Sequence, residues 1–190
     1  MFVQAVIIVI AYALGCISFG FYLVRWRTGQ DLREIGSGAT GGRNAGRVLG
    51  RWAAIAVGIA DGLKGVLAIE LSLWFSLEPW AIALSMVAVL AGHVWPLQLG
   101  FRGGKGLSTA FGAVLTYDYR IALLTAVVAL LVLVISRNRF FFLMGVASSP
   151  IIAFALGQRW EIVTGLVGLI LVILFAHRAN IREVLEQTRP

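Results

Sequence analysis

Phe2-Val-Gln-Ala-Val-Ile-Ile-Val-Ile-Ala-Tyr-Ala-Leu-Gly-Cys-Ile-Ser-Phe-Gly-Phe-Tyr-Leu-Val24 carries no charge, and the first arginine, Arg25, stands directly after it. About 20 mainly apolar residues suffice for one helix to cross a bilayer, so this stretch reads as a membrane span. Its flanks argue against a secretory signal, because nothing basic precedes it and the basic residues follow. Six further apolar runs succeed it, at roughly 52–77, 80–98, 106–117, 121–136, 140–157 and 162–177. The expected fold is an all-α integral membrane protein of about seven transmembrane helices. The run at 106–117, interrupted by Gly112, is the shortest and is expected to be tilted or buried among its neighbours.

Composition agrees. The 190 residues are 59% hydrophobic and 13% charged, with a mean hydropathy of +0.90, more apolar than any soluble domain of this length requires. The length leaves no room for a separate soluble domain, so residues 1–190 are expected to form a single membrane unit. A net charge of +7 would suggest nucleic acid in a soluble protein. Here it reads as loop charge facing anionic lipid, and no nucleic-acid partner is expected. Cys16 is the only cysteine, so no intramolecular disulfide can form.

The connections between runs differ in charge. Arg25, Arg27, Arg33, Arg43, Arg47, Arg51, Arg102, Lys105, Arg137, Arg139, Arg178, Arg182 and Arg189 fall on one side, Arg120 and Arg159 on the other, and Lys64 lies inside a run. The positive-inside rule places the N-terminus outside and the C-terminus in the cytoplasm. The unusual polar stretches share that basic side: Gly36-Ser-Gly38 with Arg43 and Asn44, then Gly103-Gly-Lys-Gly106, then His177-Arg-Ala-Asn180. Separated segments converging on one membrane face mark a site on the cytoplasmic side.

Each stretch has a chemical reading. Gly36, Gly38 and their neighbouring glycines permit close backbone approach to an oxyanion, while Arg43 and Arg47 offer bidentate cationic contacts. Ser37 can donate to a phosphate or carbonyl oxygen, but with no base beside it a serine nucleophile is disfavoured. Gly103, Gly104 and Gly106 around Lys105 suit an anion cradle of backbone N–H groups; the plainer reading of Gly103-Gly104 is a tight turn. The loop fails the Walker pattern, since Leu99 stands where its first glycine is needed and Gly106 follows the lysine. His93, just before the loop, is a candidate for binding or for capping a helix end. His177 and Asn180 lie on one helical face at i, i+3, and the histidine can donate to phosphate or move a proton. Asp61 and Lys64, at the same spacing inside a run, read as a structural ion pair. No Cys/His cluster suits zinc and no dense carboxylate set suits magnesium; no metal or other cofactor is expected. Neither histidine starts a His-x4-Asp acyltransferase box, because Gln98 and Arg182 occupy the fifth positions.

Taken in order, Gly36-Ser-Gly, Asn44 and Arg47, Asp61-x-x-Lys-Gly65, Gly92-His-x-x-Pro96, Gly103-Gly-Lys-Gly106 and His177-Arg-x-Asn-Ile181 resemble the bacterial acyl-phosphate:glycerol-3-phosphate acyltransferases of the PlsY type. The likeness spans the whole chain. It implies a seven-helix enzyme of the bacterial inner membrane that moves a fatty acyl group from acyl phosphate to the 1-hydroxyl of glycerol 3-phosphate. The product would be lysophosphatidic acid, with no obligate protein partner. The resemblance implies Ser37, Lys105 and His177 in turnover, and Gly36, Gly38, Arg43, Asn44, Arg47, His93, Gly103, Gly104, Gly106 and Asn180 in substrate binding. Acyl phosphate is already an activated mixed anhydride, so proximity and electrostatics are the main tasks left to the protein. The chain also departs from the family pattern. Ala39 replaces an asparagine, Gly42-Arg43 replaces Ala-Thr, Phe142 falls where a serine is expected, and Glu183 where an arginine is. A different polyol-phosphate acceptor, a noncatalytic anion-binding scaffold and a small anion transporter remain as alternatives.

Overall fold

A chain this apolar must satisfy its backbone polar groups within itself, and helices do so locally. The computed structural model describes residues 1–137 and 141–187, apart from the side chains of residues 141, 183–185 and 187, and every regular element among them is helical. Arg139, Arg189 and the side chain of Glu183, used in the sequence reading, lie outside the described residues. The helices are α1 (Phe2–Cys16), α2 (Phe19–Thr28), α3 (Gly42–Leu49), α4 (Arg51–Trp74), α5 (Pro79–Val94), α6 (Leu107–Tyr117), α7 (Tyr119–Ser136), α8 (Phe141–Val146), α9 (Ser149–Ala155), α10 (Trp160–Ala176) and α11 (Arg178–Gln187).

Among the described residues, four segments are long and apolar enough to cross a membrane: Phe2–Thr28, Arg51–Trp74, Pro79–Leu99 and Tyr119–Ser136. Leu107–Tyr117, Phe142–Ala155 and Trp160–Ala176 are shorter apolar helices. Among the described residues all seven expected runs are mainly helical; that at 80–98 leaves the helix near its end, at Trp95 and Pro96, and two others break in mid-run. The run at 140–157 is divided between α8 and α9, with Pro150 in the first turn of α9, where its missing N–H costs no helical bond.

The first run breaks where Ile17 turns to extended backbone (φ −67°, ψ 101°). A break inside an apolar layer leaves carbonyls without intrahelical donors. Here they are satisfied from other elements. Lys64 Nζ of α4 donates to Gly15 O at 3.0 Å and to Ile17 O at 2.9 Å, and the Gln98 amide donates to Cys16 O. The expected ion pair is present, with Lys64 Nζ 3.0 Å from Asp61 Oδ1. The lysine is thus more than a partner for the aspartate: it caps the broken helix.

Close packing positions the rest. Gly15 of α1 and Gly92 of α5 lie against each other's helix backbone, and Gly112 of α6 lies against Gly62 of α4; small residues allow this approach where water supplies no drive between helices. Met86, Leu90, Ile121, Leu166 and Ile173 fill the interior, whereas Ile55, Leu130, Ile151, Phe154 and Leu171 point outward, as a lipid-facing surface requires. At one end, Arg33 Nη1 donates to Leu99 O at 2.8 Å and the Thr40 N–H donates to Gly103 O at 3.2 Å. Elsewhere Tyr117 and Asp118 bond to Gln158, at 3.1 and 2.8 Å.

Candidate active site

The first wall is built on α3. Gly42 and Gly46 face α4, where a Cβ on Gly42 would stand 2.5 Å from Ala54 O and one on Gly46 would stand 2.7 Å from Ala54 Cβ. Seating α3 this closely leaves Arg43 and Arg47, four residues apart, exposed together. Asn44 lies between them and is buried. Its Nδ2 donates to Leu32 O, Ile35 O and Ala39 O at 3.1, 2.8 and 3.0 Å, and its Oδ1 accepts from the Ser37 N–H at 3.3 Å. The asparagine therefore shapes the loop that presents Ser37, with positive-φ turns at Gly36 (58°) and Gly38 (68°). Before that loop, Arg33 grips Asp31 at 2.6 Å. Hydrogen bonding from the Arg33 guanidinium holds the Asp31 carboxyl down at about 2.

The second wall corrects an expectation. The N–H groups of Gly103 and Gly104 do not converge on an open anion site: they donate to Val94 O at 3.1 Å and His93 O at 3.0 Å. The pair forms a tight turn folded back on the end of α5. A side chain at Gly104 would collide with the His93 ring, so glycine here is a packing requirement. His93 itself is buried, with Nδ1 3.5 Å from Asp61 Oδ1. Directly after this turn, α6 starts behind Gly106, which stands in the left-handed region (φ 79°). The first N–H groups of a helix have no intrahelical partner and carry its positive end.

The third wall is His177 at the end of α10, with Asn180 one turn on. Lys105 Nζ donates to Asn180 Oδ1 at 2.8 Å, which joins the second and third walls. His177 Nδ1 lies 2.9 Å from Ile173 O. A carbonyl can only accept, so Nδ1 carries the proton, and in the neutral ring Nε2 holds the lone pair.

These walls enclose a cavity of about 900 Å³ lined by Gly36, Ser37, Arg43, Asn44, Arg47, His93, Lys105, Gly106, His177 and Asn180. Gly38, Gly103 and Gly104 are not part of its lining; they shape the turns behind it. The sequence reading missed Leu107 and Ser108 at the start of α6, and Asp61, which also line the cavity. A glycine directly before an apolar run is the available signal for the first two; for Asp61 it is an ionisable group inside an apolar run, which the sequence also explains as an ion pair with Lys64.

An apolar groove of about 520 Å³ adjoins the cavity, running between α4, α6, α7 and α10 past Ile55, Ile59, Phe111, Ala126 and Leu169. Leu107, Ser108 and Phe142 line both spaces. Phe142, whose ring cannot donate a hydrogen bond, stands where they meet. A strongly basic chamber opening into a hydrocarbon-lined groove can hold an amphiphile with an anionic head.

The chain is similar to known proteins along nearly its full length. Residues 5–187 match the family described as glycerol-3-phosphate acyltransferase. Glycerol-3-phosphate acyltransferase 1 of Desulfitobacterium hafniense is 46% identical over 182 residues, covering 94% of this chain and 89% of the relative. The glycerol-3-phosphate acyltransferase of Bacillus cytotoxicus is 37% identical over 190 residues, covering 100% and 96%. A crystal structure of PlsY, an integral membrane glycerol 3-phosphate acyltransferase, in its glycerol 3-phosphate form superposes with a TM-score of 0.89 at 28% identity, covering 98% of this chain and 94% of that one. Its lysophosphatidic acid form gives 0.87 at 26% identity, with the same coverage.

Proposed function

The chain belongs to the glycerol-3-phosphate acyltransferase family, and from that premise we propose that it transfers a fatty acyl group from acyl phosphate to the 1-hydroxyl of glycerol 3-phosphate, releasing lysophosphatidic acid and phosphate. The observation that carries this reading is the junction of the two spaces at Leu107, Ser108 and Phe142. The groove receives the acyl chain, and the basic cavity receives both phosphates. The reacting carbonyl then lies where the two meet.

Arg43, Arg47 and Lys105 hold the phosphates together with the first turn of α6. Ser37 donates to a phosphate or carbonyl oxygen. Asn180 aims Lys105, and Asn44 shapes the loop that carries Ser37. The acceptor's hydroxyl proton passes to His177 Nε2 or to the donor's own phosphate. Acyl phosphate is already activated, so no covalent nucleophile on the protein is needed. These residues are thereby assigned to binding, orientation and charge stabilisation of the departing phosphate.

The same reading gives seven spans in one unit, with α8 and α9 together as the sixth, the N-terminus outside, the C-terminus in the cytoplasm and the site on the cytoplasmic face of a bacterial inner membrane. The asymmetry of basic residues between connections supports this orientation.

The test is purified protein with palmitoyl phosphate and glycerol 3-phosphate. Wild type should yield lysophosphatidic acid, and Lys105→Ala should lose about 10²–10³ in rate, the scale set by removing one charge-stabilising donor. Equal product from the two would overturn the assignment of Lys105. A pH–rate profile that His177→Ala lowers uniformly, without changing its shape, would leave the donor phosphate as the base.

A further inference from the structure

Asp61 is buried to 3% exposure yet lines the basic cavity. It is the single acidic side chain in that lining among the described residues. A cavity for two phosphates gains nothing from a carboxylate, which repels them. Neutralising Lys64 does not by itself explain its place either. Both neighbours of the carboxylate, Lys64 Nζ at 3.0 Å and His93 Nδ1 at 3.5 Å, approach Oδ1, which leaves Oδ2 for a ligand. Lys64 in turn is anchored on Gly15 O and Ile17 O, and the His93 carbonyl holds Gly104. The carboxylate is therefore held in place from two sides.

We infer that Asp61 binds the acceptor's non-reacting hydroxyl, that of C2, and thereby sets both the orientation of the polyol phosphate and the preference for a vicinal diol. The inference rests on the acyl-transfer reading above. A carboxylate is an acceptor only, so the partner it selects is a donor, and hydroxyls are the donors a polyol phosphate offers. Cations at Arg43, Arg47 and Lys105 attract the phosphate end, while Asp61 repels it and accepts from the hydroxyl end. The molecule is thereby oriented by charge within the cavity.

Two acceptors separate this role from simple neutralisation of Lys64: glycerol 3-phosphate and 3-hydroxypropyl phosphate, which keeps the reacting hydroxyl and lacks the one on C2. Wild type is expected to favour glycerol 3-phosphate in kcat/KM by about ten- to a hundredfold, the range for a hydrogen bond to a charged group. In the neutral pair Asp61→Asn with Lys64→Gln, which keeps a donor for Gly15 and Ile17, that preference should shrink about tenfold while KM for palmitoyl phosphate stays unchanged. An equal loss on both acceptors, with the preference intact, would make Asp61 purely structural. A wild type that uses both acceptors equally would overturn the inference whether or not the variant folds, and would leave the acyl-transfer reading standing. Failure of wild type to acylate either acceptor would instead sink that reading, and this inference with it.

Discussion

At the level of single residues, the glycines and amides around the cavity do different work from what their types suggest. Gly103 and Gly104 looked like anion-binding donors, and their N–H groups are spent on the end of α5. Gly104 is instead the space into which His93 fits. Gly104→Ala should therefore displace the His93 ring and the loop carrying Lys105, costing about 1–3 kcal/mol, as overpacking does. Thermal melting in detergent reads the cost, and an unchanged midpoint would refute the contact. Local composition could not separate the two roles, because a cradle and a tight turn both require residues without a side chain.

Among elements, the broken first run depends on a lysine forty-seven residues away from Ile17. Lys64→Met should leave Asp61 without its cation and two carbonyls without their donor, at about 3–5 kcal/mol. The expected result is loss of folded protein on extraction; a stable Lys64→Met would show that the break does not depend on the capping lysine. The loop after α2 has a pH-dependent tie of its own. Asp31, held at about 2 by Arg33, is depressed from an ordinary value near 3.8. Its stabilising contribution is thus fully present above that ordinary value and is lost as pH falls through about 2. Asp31→Asn should flatten the fall in melting temperature between those limits and leave it unaltered at pH 7 in slope. Identical acid profiles for the variant and wild type would remove the tie from the account.

For the molecule as a whole, side chains from α4, α6, α7, α8, α9 and α10 together make the apolar groove, and its dimensions should govern the donor. Gly58 lines it, and a Cβ there meets nothing closer than Ser108 Oγ at 4.0 Å, so a large side chain enters open space. Gly58→Phe should lower kcat/KM for palmitoyl phosphate about tenfold or more relative to octanoyl phosphate, because each buried methylene is worth about 0.8 kcal/mol. A ratio equal to that of wild type would place the acyl chain elsewhere.

The helical membrane architecture was legible in the chain alone, because uncharged runs such as 2–24 have few alternatives in a bilayer. The basic asymmetry and the candidate residues of the three polar stretches were legible for a similar reason: charge and glycine are rare enough here to stand out. What the tertiary structure alone decided was which of them face the cavity. It turned Gly103 and Gly104 inward, committed Asn44 to its loop, and brought the start of α6 and Asp61 into the lining. Those assignments depend on hydrogen bonds and close approaches between segments far apart in the chain, and no local pattern encodes them.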